Sequence, residues 1–136
     1  MRRADLERWI EAYVRLWRTA GTDALSEIFS DDALYSPAPF EEPRRGLEAI
    51  SALWEAERLG PGEDFELDSE VVAVDGGTGV VRVEVRYGRP RDTLYRDLWI
   101  VRVGGDGRCT RFEEWPFWPP GAEGSIAGRG STPGSA

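Results

Sequence analysis

Histidine, lysine, asparagine and glutamine are all absent from this chain of 136 residues. The absences exclude a good deal of chemistry. Without histidine, no Ser-His-Asp or Cys-His triad can form within the chain. With a single cysteine, Cys109, no zinc site of His and Cys ligands can form either. Without lysine there is no Schiff-base chemistry on the protein. One cysteine also excludes an internal disulfide. Cys109 sits in a strand-like stretch and reads as a small buried apolar group rather than a nucleophile. No apolar run approaches membrane-spanning length. The opening residues, MRRADLERWI, lack the apolar stretch of a secretory signal, so a cytoplasmic location is expected. Proton transfer is left to Asp, Glu, Tyr, the lone Cys or water tuned by arginine.

What is present fits one globular domain. The length suits a single domain, and 40% hydrophobic residues with six tryptophans supply a core. All 17 basic residues are arginine, and the net charge is -8. That charge opposes nonspecific binding to nucleic acid and attraction to anionic membranes, so neither is an expected partner.

The first half of the chain is helical in period. Leu6, Trp9, Ile10, Tyr13, Val14 and Trp17 predict an amphipathic helix over about residues 4 to 19. GTDALSEIF predicts a second, short helix, with Thr22 and Asp23 as possible N-caps. Asp31 and Asp32 read as a helix-to-strand turn, and DALYSP as a short strand closed by proline. Glu41, Glu42, Arg44 and Arg45 read as a solvated loop, with gating of a pocket entrance as the rival role. GLEAISALWEAERL predicts a third helix, with Leu47, Ile50, Leu53 and Trp54 on one face, stopped by GPGED.

The second half alternates with period two. FELDSEV, VRVEVRY, TLYRDLWIVRV and RCTRFEEWPFW predict four strands, joined by the turns DGGTG, GRPRD and GGDG. Neither DGGTG nor GGDG leads a strand into a helix, as a phosphate-binding loop would. Residues 1–118 are expected to form the domain. Residues 119–136, small and polar without a period, are expected to be a disordered tail. The expected class is α+β: three N-terminal helices, one early strand, then a four-stranded antiparallel meander. A curved sheet closed at one end by helices makes a cone with a mouth, a natural small-molecule pocket.

The segment IFSDDALYSPAPFEEPRRGLEAI, the AYVRLW of the first helix and the final RFEEWPFW carry a resemblance in their order and spacing. From about Leu6 to Trp118 the chain resembles the nuclear transport factor 2-like superfamily, in its SnoaL-like and ketosteroid-isomerase-like branch. The resemblance implies a cone-shaped domain, no cofactor, and a homodimer formed through the open face of the sheet. It does not decide among enzymes, ligand binders and interaction modules, all of which share the fold. In ketosteroid isomerases the first strand ends in an aspartate base; the matching position here is Pro37, beside Ser36. Tyr13 matches their oxyanion-donating tyrosine, a role that stands beside plain packing against Trp9 and Trp17. Their second oxyanion donor, an aspartic acid, matches Trp99. Limonene-epoxide hydrolases use an Asp-Arg-Asp relay on this fold, and no full match to it is present.

Asp97 and Glu114 are the acid-base candidates. Asp97 shares a strand face with Tyr95, Trp99, Val101 and Val103, and Glu114 shares one with Phe112. A carboxylate on an inward aromatic face is suited to proton transfer. The competing reading puts one of Glu113 and Glu114 in solvent and the other in an ion pair with Arg111 or Arg82. Catalysis is thus assigned to Asp97, Glu114 and Tyr13, and no metal site is expected. The ligand-binding wall is assigned to Trp17, Tyr35, Phe40, Trp54, Val83, Val85, Trp99, Phe112 and Trp118. The expected partner is a small apolar organic molecule. The expected activity is cofactor-independent isomerisation, cyclisation or hydrolysis, with a non-catalytic binding or dimerisation module as the alternative. A protein-interaction adaptor ranks last.

Overall fold

The structure is a computed structural model describing residues 1–58, 64–88 and 93–120. Helix α1 (Arg3–Trp17) buries Leu6, Trp9, Ile10, Tyr13 and Leu16, a stripe at three- and four-residue spacing. Val14 and Trp17 are half-buried at the edge of that stripe. Asp5 accepts the Arg2 backbone N–H at 2.8 Å and so satisfies one orphan donor of the first turn.

The expected second α-helix is a 3-10 helix, Asp23–Glu27. The Leu25 N–H donates to Thr22 O at 3.2 Å and the Ile28 N–H to Leu25 O at 3.1 Å. Such a short segment closes these tighter turns more readily than it nucleates an α-helix. Strand β1 (Phe29–Ser36) begins before the expected strand, so Asp31 and Asp32 lie within it rather than in a turn. Both are exposed, and Asp31 pairs with Arg108 at 3.5 Å. A register irregularity between Phe29 and Leu34 gives this stretch its exposed face. In place of the expected solvated loop, Arg44 and Arg45 form β2 (Arg44–Arg45), antiparallel to β1. Helix α2 (Leu47–Glu57) follows and buries Ile50, Leu53 and Trp54.

Strands β3 (Phe65–Asp75), β4 (Thr78–Tyr87), β5 (Thr93–Val103) and β6 (Cys109–Phe117) run as an antiparallel meander. β6 then pairs in parallel with β1. The sheet order is β2-β1-β6-β5-β4-β3. The meander is therefore one part of a six-stranded sheet, and two α-helices with one 3-10 helix replace the three expected helices. The GPGED stop and the GRPRD turn fall largely, and the tail from 121 wholly, outside the described residues.

Period-two alternation sorts the strands into two faces. Val81, Val83, Val85 and Tyr87 of β4 are buried, as are Tyr95, Asp97, Trp99 and Val101 of β5. The opposite face carries ion pairs between neighbouring strands, Glu70 with Arg82 at 2.6 Å and Glu84 with Arg96 at 3.0 Å. Both helices cover the inner face. A Cβ on Gly79 of β4 would lie 2.2 Å from Leu6 Cδ2, so the bare backbone there lets α1 seat against the sheet. Gly76 turns the β3–β4 hairpin at φ 61°, which favours glycine. Among the described residues no helix is long and apolar enough to cross a membrane.

Candidate functional site

α1, α2 and the inner sheet face leave a cavity between them. It is lined by Tyr13, Val14 and Trp17 of α1, Tyr35 of β1 and Glu57 of α2. Phe65 and Leu67 of β3, Val85 and Tyr87 of β4, Tyr95, Asp97 and Trp99 of β5, and Glu114 of β6 complete it. Its volume is about 40 Å³, inside a recess of about 560 Å³ that includes the opening to solvent. Such a cavity admits a few waters or one small chemical group.

Strand register sets the two inner carboxylates. Trp99 stands opposite Glu114 and Asp97 opposite Pro116. Asp97 and Glu114 are thus diagonal neighbours on one face, with Cα atoms roughly 7–8 Å apart by sheet geometry. Asp97 is 2% exposed and Glu114 5%. The Trp99 indole Nε1–H donates to Asp97 Oδ2 at 3.1 Å, so the tryptophan orients the acid as well as lining the cavity. Glu113 takes the ion-pair role, outside, with Arg111 Nε at 3.2 Å.

Tyr13 Oη and Tyr35 Oη share a hydrogen bond at 3.0 Å. The Tyr13 ring packs against Trp99, with centroids 4.8 Å apart, and stacks on Phe112 at 5.5 Å. Burial pushes the Tyr13 phenol well above its ordinary pKa, and neighbouring Tyr35 and Glu114 add to the push. The phenol therefore keeps its proton and can donate it in a hydrogen bond. Tyr13 thus packs in the aromatic core and shares its hydroxyl hydrogen bond with Tyr35.

Of the twelve residues assigned from sequence, Tyr13, Asp97, Glu114, Trp17, Tyr35, Val85 and Trp99 meet at the cavity. Five do not line it. Phe40 is fully exposed on the connection before β2, so it lies on the surface and not in the wall. Trp54, Val83 and Phe112 are buried in the core beneath the cavity wall. Trp118 stacks on Tyr95 with centroids 6.2 Å apart, behind the lining ring. The sequence reading missed Val14, Glu57, Phe65, Leu67, Tyr87 and Tyr95 as lining residues. Strand parity carried the signal for four of them: Tyr87 shares a face with Val85, and Tyr95 with Asp97. Phe65 and Leu67 pair with Tyr87 and Val85. Pro37, at the end of β1, is fully buried and supplies no acid.

Comparisons with known proteins bear on the fold. A family model described as a SnoaL-like domain matches residues 10–112. No curated protein matches the chain. Among solved structures, a steroid delta-isomerase from Pseudomonas aeruginosa superposes with a TM-score of 0.60 at 22% identity, over 86% of this chain and 79% of that one. The epoxide hydrolase/cyclase-like enzyme SalBIII, which acts in pyran ring formation in the polyether salinomycin, gives 0.65 at 14% identity, over 82% and 89%. An LEH-like epoxide hydrolase from M. tuberculosis gives 0.61 at 18% identity, over 84% of each chain. At these identities the structural likeness is one of fold.

Proposed function

We propose, from the premise that the chain belongs to the SnoaL-like domain family, that its cavity binds a small, largely apolar organic molecule and moves a proton on it without a cofactor. One observation carries the reading: Asp97 and Glu114 are both buried and line the same cavity as Tyr13. A domain selected for stability alone would more readily hold Leu or Val there, because buried carboxylates are costly. In this scheme Asp97 or Glu114 takes or gives the proton. Tyr13, held by Tyr35 and kept protonated, donates to oxygen charge that develops on the substrate. Isomerisation, cyclisation and epoxide opening all need these parts. Neighbours of the same fold bear the names of each class.

The test is to extract and identify by mass spectrometry what the purified protein retains, then to follow turnover of that molecule and its close chemical kin. Wild type should convert at least one of them. Asp97→Asn or Glu114→Gln should slow conversion by roughly 10²–10⁴-fold, the usual worth of a general acid or base, while binding persists. Equal turnover by both variants overturns proton transfer by these acids.

A non-catalytic binding module is the second reading, and Pro37 favours it. The small cavity volume favours it too. The reading also includes a homodimer. Leu98, Trp115 and Phe117 stand exposed on the outer sheet face, with Leu98 directly opposite Trp115. A bare apolar patch of this kind is uncommon on a monomer.

A further inference from the structure

The sequence places an acid two residues before a tryptophan twice, in DLW (97–99) and EEW (113–115). Residues two apart on a strand share a face. In both places the indole reaches back to the acid. Trp115 Nε1–H donates to Glu113 Oε1 at 3.2 Å on the outer face, where Trp115 is exposed. Trp99 Nε1–H donates to Asp97 Oδ2 at 3.1 Å on the inner face, where both residues are buried and line the cavity.

An acid beside a buried indole either seats the indole or is held by it. This fold seats indoles without acids. Trp9 Nε1–H donates to the Ile28 carbonyl at 2.9 Å. Trp54 is buried as deeply as Trp99, and its Nε1 meets no hydrogen-bond partner among the described residues. A carboxyl is therefore not needed to bury a tryptophan here, and it is costlier to bury than a neutral oxygen. The Trp99 ring is itself fixed from two sides. Its centroid lies 4.8 Å from that of Tyr13 and 5.1 Å from that of Phe112, which it meets edge to face. An indole N–H donates and cannot accept. The oxygen that receives it keeps the bond best without a proton of its own. Whatever else meets the carboxyl, a proton carried by Asp97 thus belongs on Oδ1.

We propose that Trp99 is a positioning residue: its N–H holds Asp97 by Oδ2 and assigns Oδ1 as the oxygen that exchanges a proton with the bound molecule, while its ring braces Tyr13. This role rests on the reading of the cavity as a proton-transfer site and adds how one of its acids is held. The probe is cyclohexanone in D2O at neutral pH, with deuterium on its α-carbon followed by mass spectrometry. The step breaks an α C–H bond and forms a bond from that proton to Asp97 Oδ1. The electron pair stays on the ketone as an enolate, whose oxygen accepts from Tyr13. Deuterium from solvent then replaces the proton on Oδ1 and returns to carbon. Wild type should catalyse this exchange. Trp99→Phe keeps a ring and loses the N–H, so kcat should fall by roughly 10–100-fold with KM within about twofold, the pattern of a misplaced catalytic group. Trp115→Phe removes the matching bond on the outer face and should leave both constants within about twofold. If Trp99→Phe raises KM at unchanged kcat, or changes neither, Trp99 is wall alone; the positioning role is then wrong and proton transfer in the cavity stands. If wild type exchanges no deuterium, proton transfer itself loses support and the role of Trp99 falls with it. Where Trp99→Phe does not fold, indole N–H spectra of wild type and Asp97→Leu decide. The Trp99 signal should move between them and the Trp115 signal should not. A Trp99 signal that stays in place shows that Asp97 does not receive this N–H, and overturns the role.

Discussion

At the scale of single residues, the bond between Trp99 and Asp97 decides what a substitution does. An asparagine at 97 still offers an oxygen to the indole N–H, and a leucine does not. Asp97→Asn should therefore be more stable than Asp97→Leu by about 1–3 kcal/mol, the penalty of orphaning a buried donor. Urea unfolding of the two variants checks this. Equal midpoints would show that the indole finds another partner. Cys109 gives a second prediction. Burial pushes its thiol up to about 12, while an unfolded thiol releases its proton near 8.5. Between those values the unfolded chain binds fewer protons than the folded one. Stability should thus be intact below about pH 8.5 and fall as pH rises toward 12, by up to about 1.4 kcal/mol per pH unit from this group. The Tyr13 phenol, also pushed up by burial, acts in the same direction at higher pH. Cys109→Ala should flatten the first part of that decline in unfolding curves taken from pH 8 to 10.

At the scale of elements, Arg58 ties the end of α1 to the end of α2. Its side chain is 7% exposed. It donates to the carbonyls of Thr19 at 2.5 Å and Gly21 at 3.1 Å, just past α1. Carbonyls at and beyond a helix C-terminus lack intrahelical partners, and a buried fork of donors satisfies several at once. Arg58→Ala should destabilise the fold by about 2–3 kcal/mol, and Arg58→Lys should restore only part of it. Denaturant midpoints read both. The elements themselves were largely legible in the sequence. The 3.6-residue stripe of α1 and the alternation of β3 to β6 follow from burying one face of each element. β2 was not legible, because two arginines carry no strand pattern and pair only through the β1 backbone. The 3-10 helix was misread because its residues share the apolar spacing of an α-helix and lack only its length. In the site, parity exposed Asp97 and Glu114 as inward residues. Phe40 was misplaced because an aromatic residue between prolines and acids looks like a wall. Its exposure depends on how the connection turns, which no periodicity records.

At the scale of the molecule, the sheet presents two unlike faces. The inner one is covered by both helices. The outer one bears ion pairs around Leu98, Trp115 and Phe117. Light scattering at micromolar concentration should give the mass of a dimer. Trp115→Glu with Phe117→Glu should give a folded monomer, since like charges would then face each other across a shared apolar patch. A monomer mass for the wild type contradicts this part of the account. The central claim concerns the inner face, that the two buried acids and Tyr13 serve one bound molecule. A crystal structure with the retained molecule, or with a molecule the protein is found to convert, tests it most directly. The account predicts a ligand atom within about 2.6–3.2 Å of Tyr13 Oη and another within the same reach of an Asp97 or Glu114 oxygen. A ligand that touches Tyr13 while both carboxylates lie out of reach, or one bound outside this cavity, would contradict it.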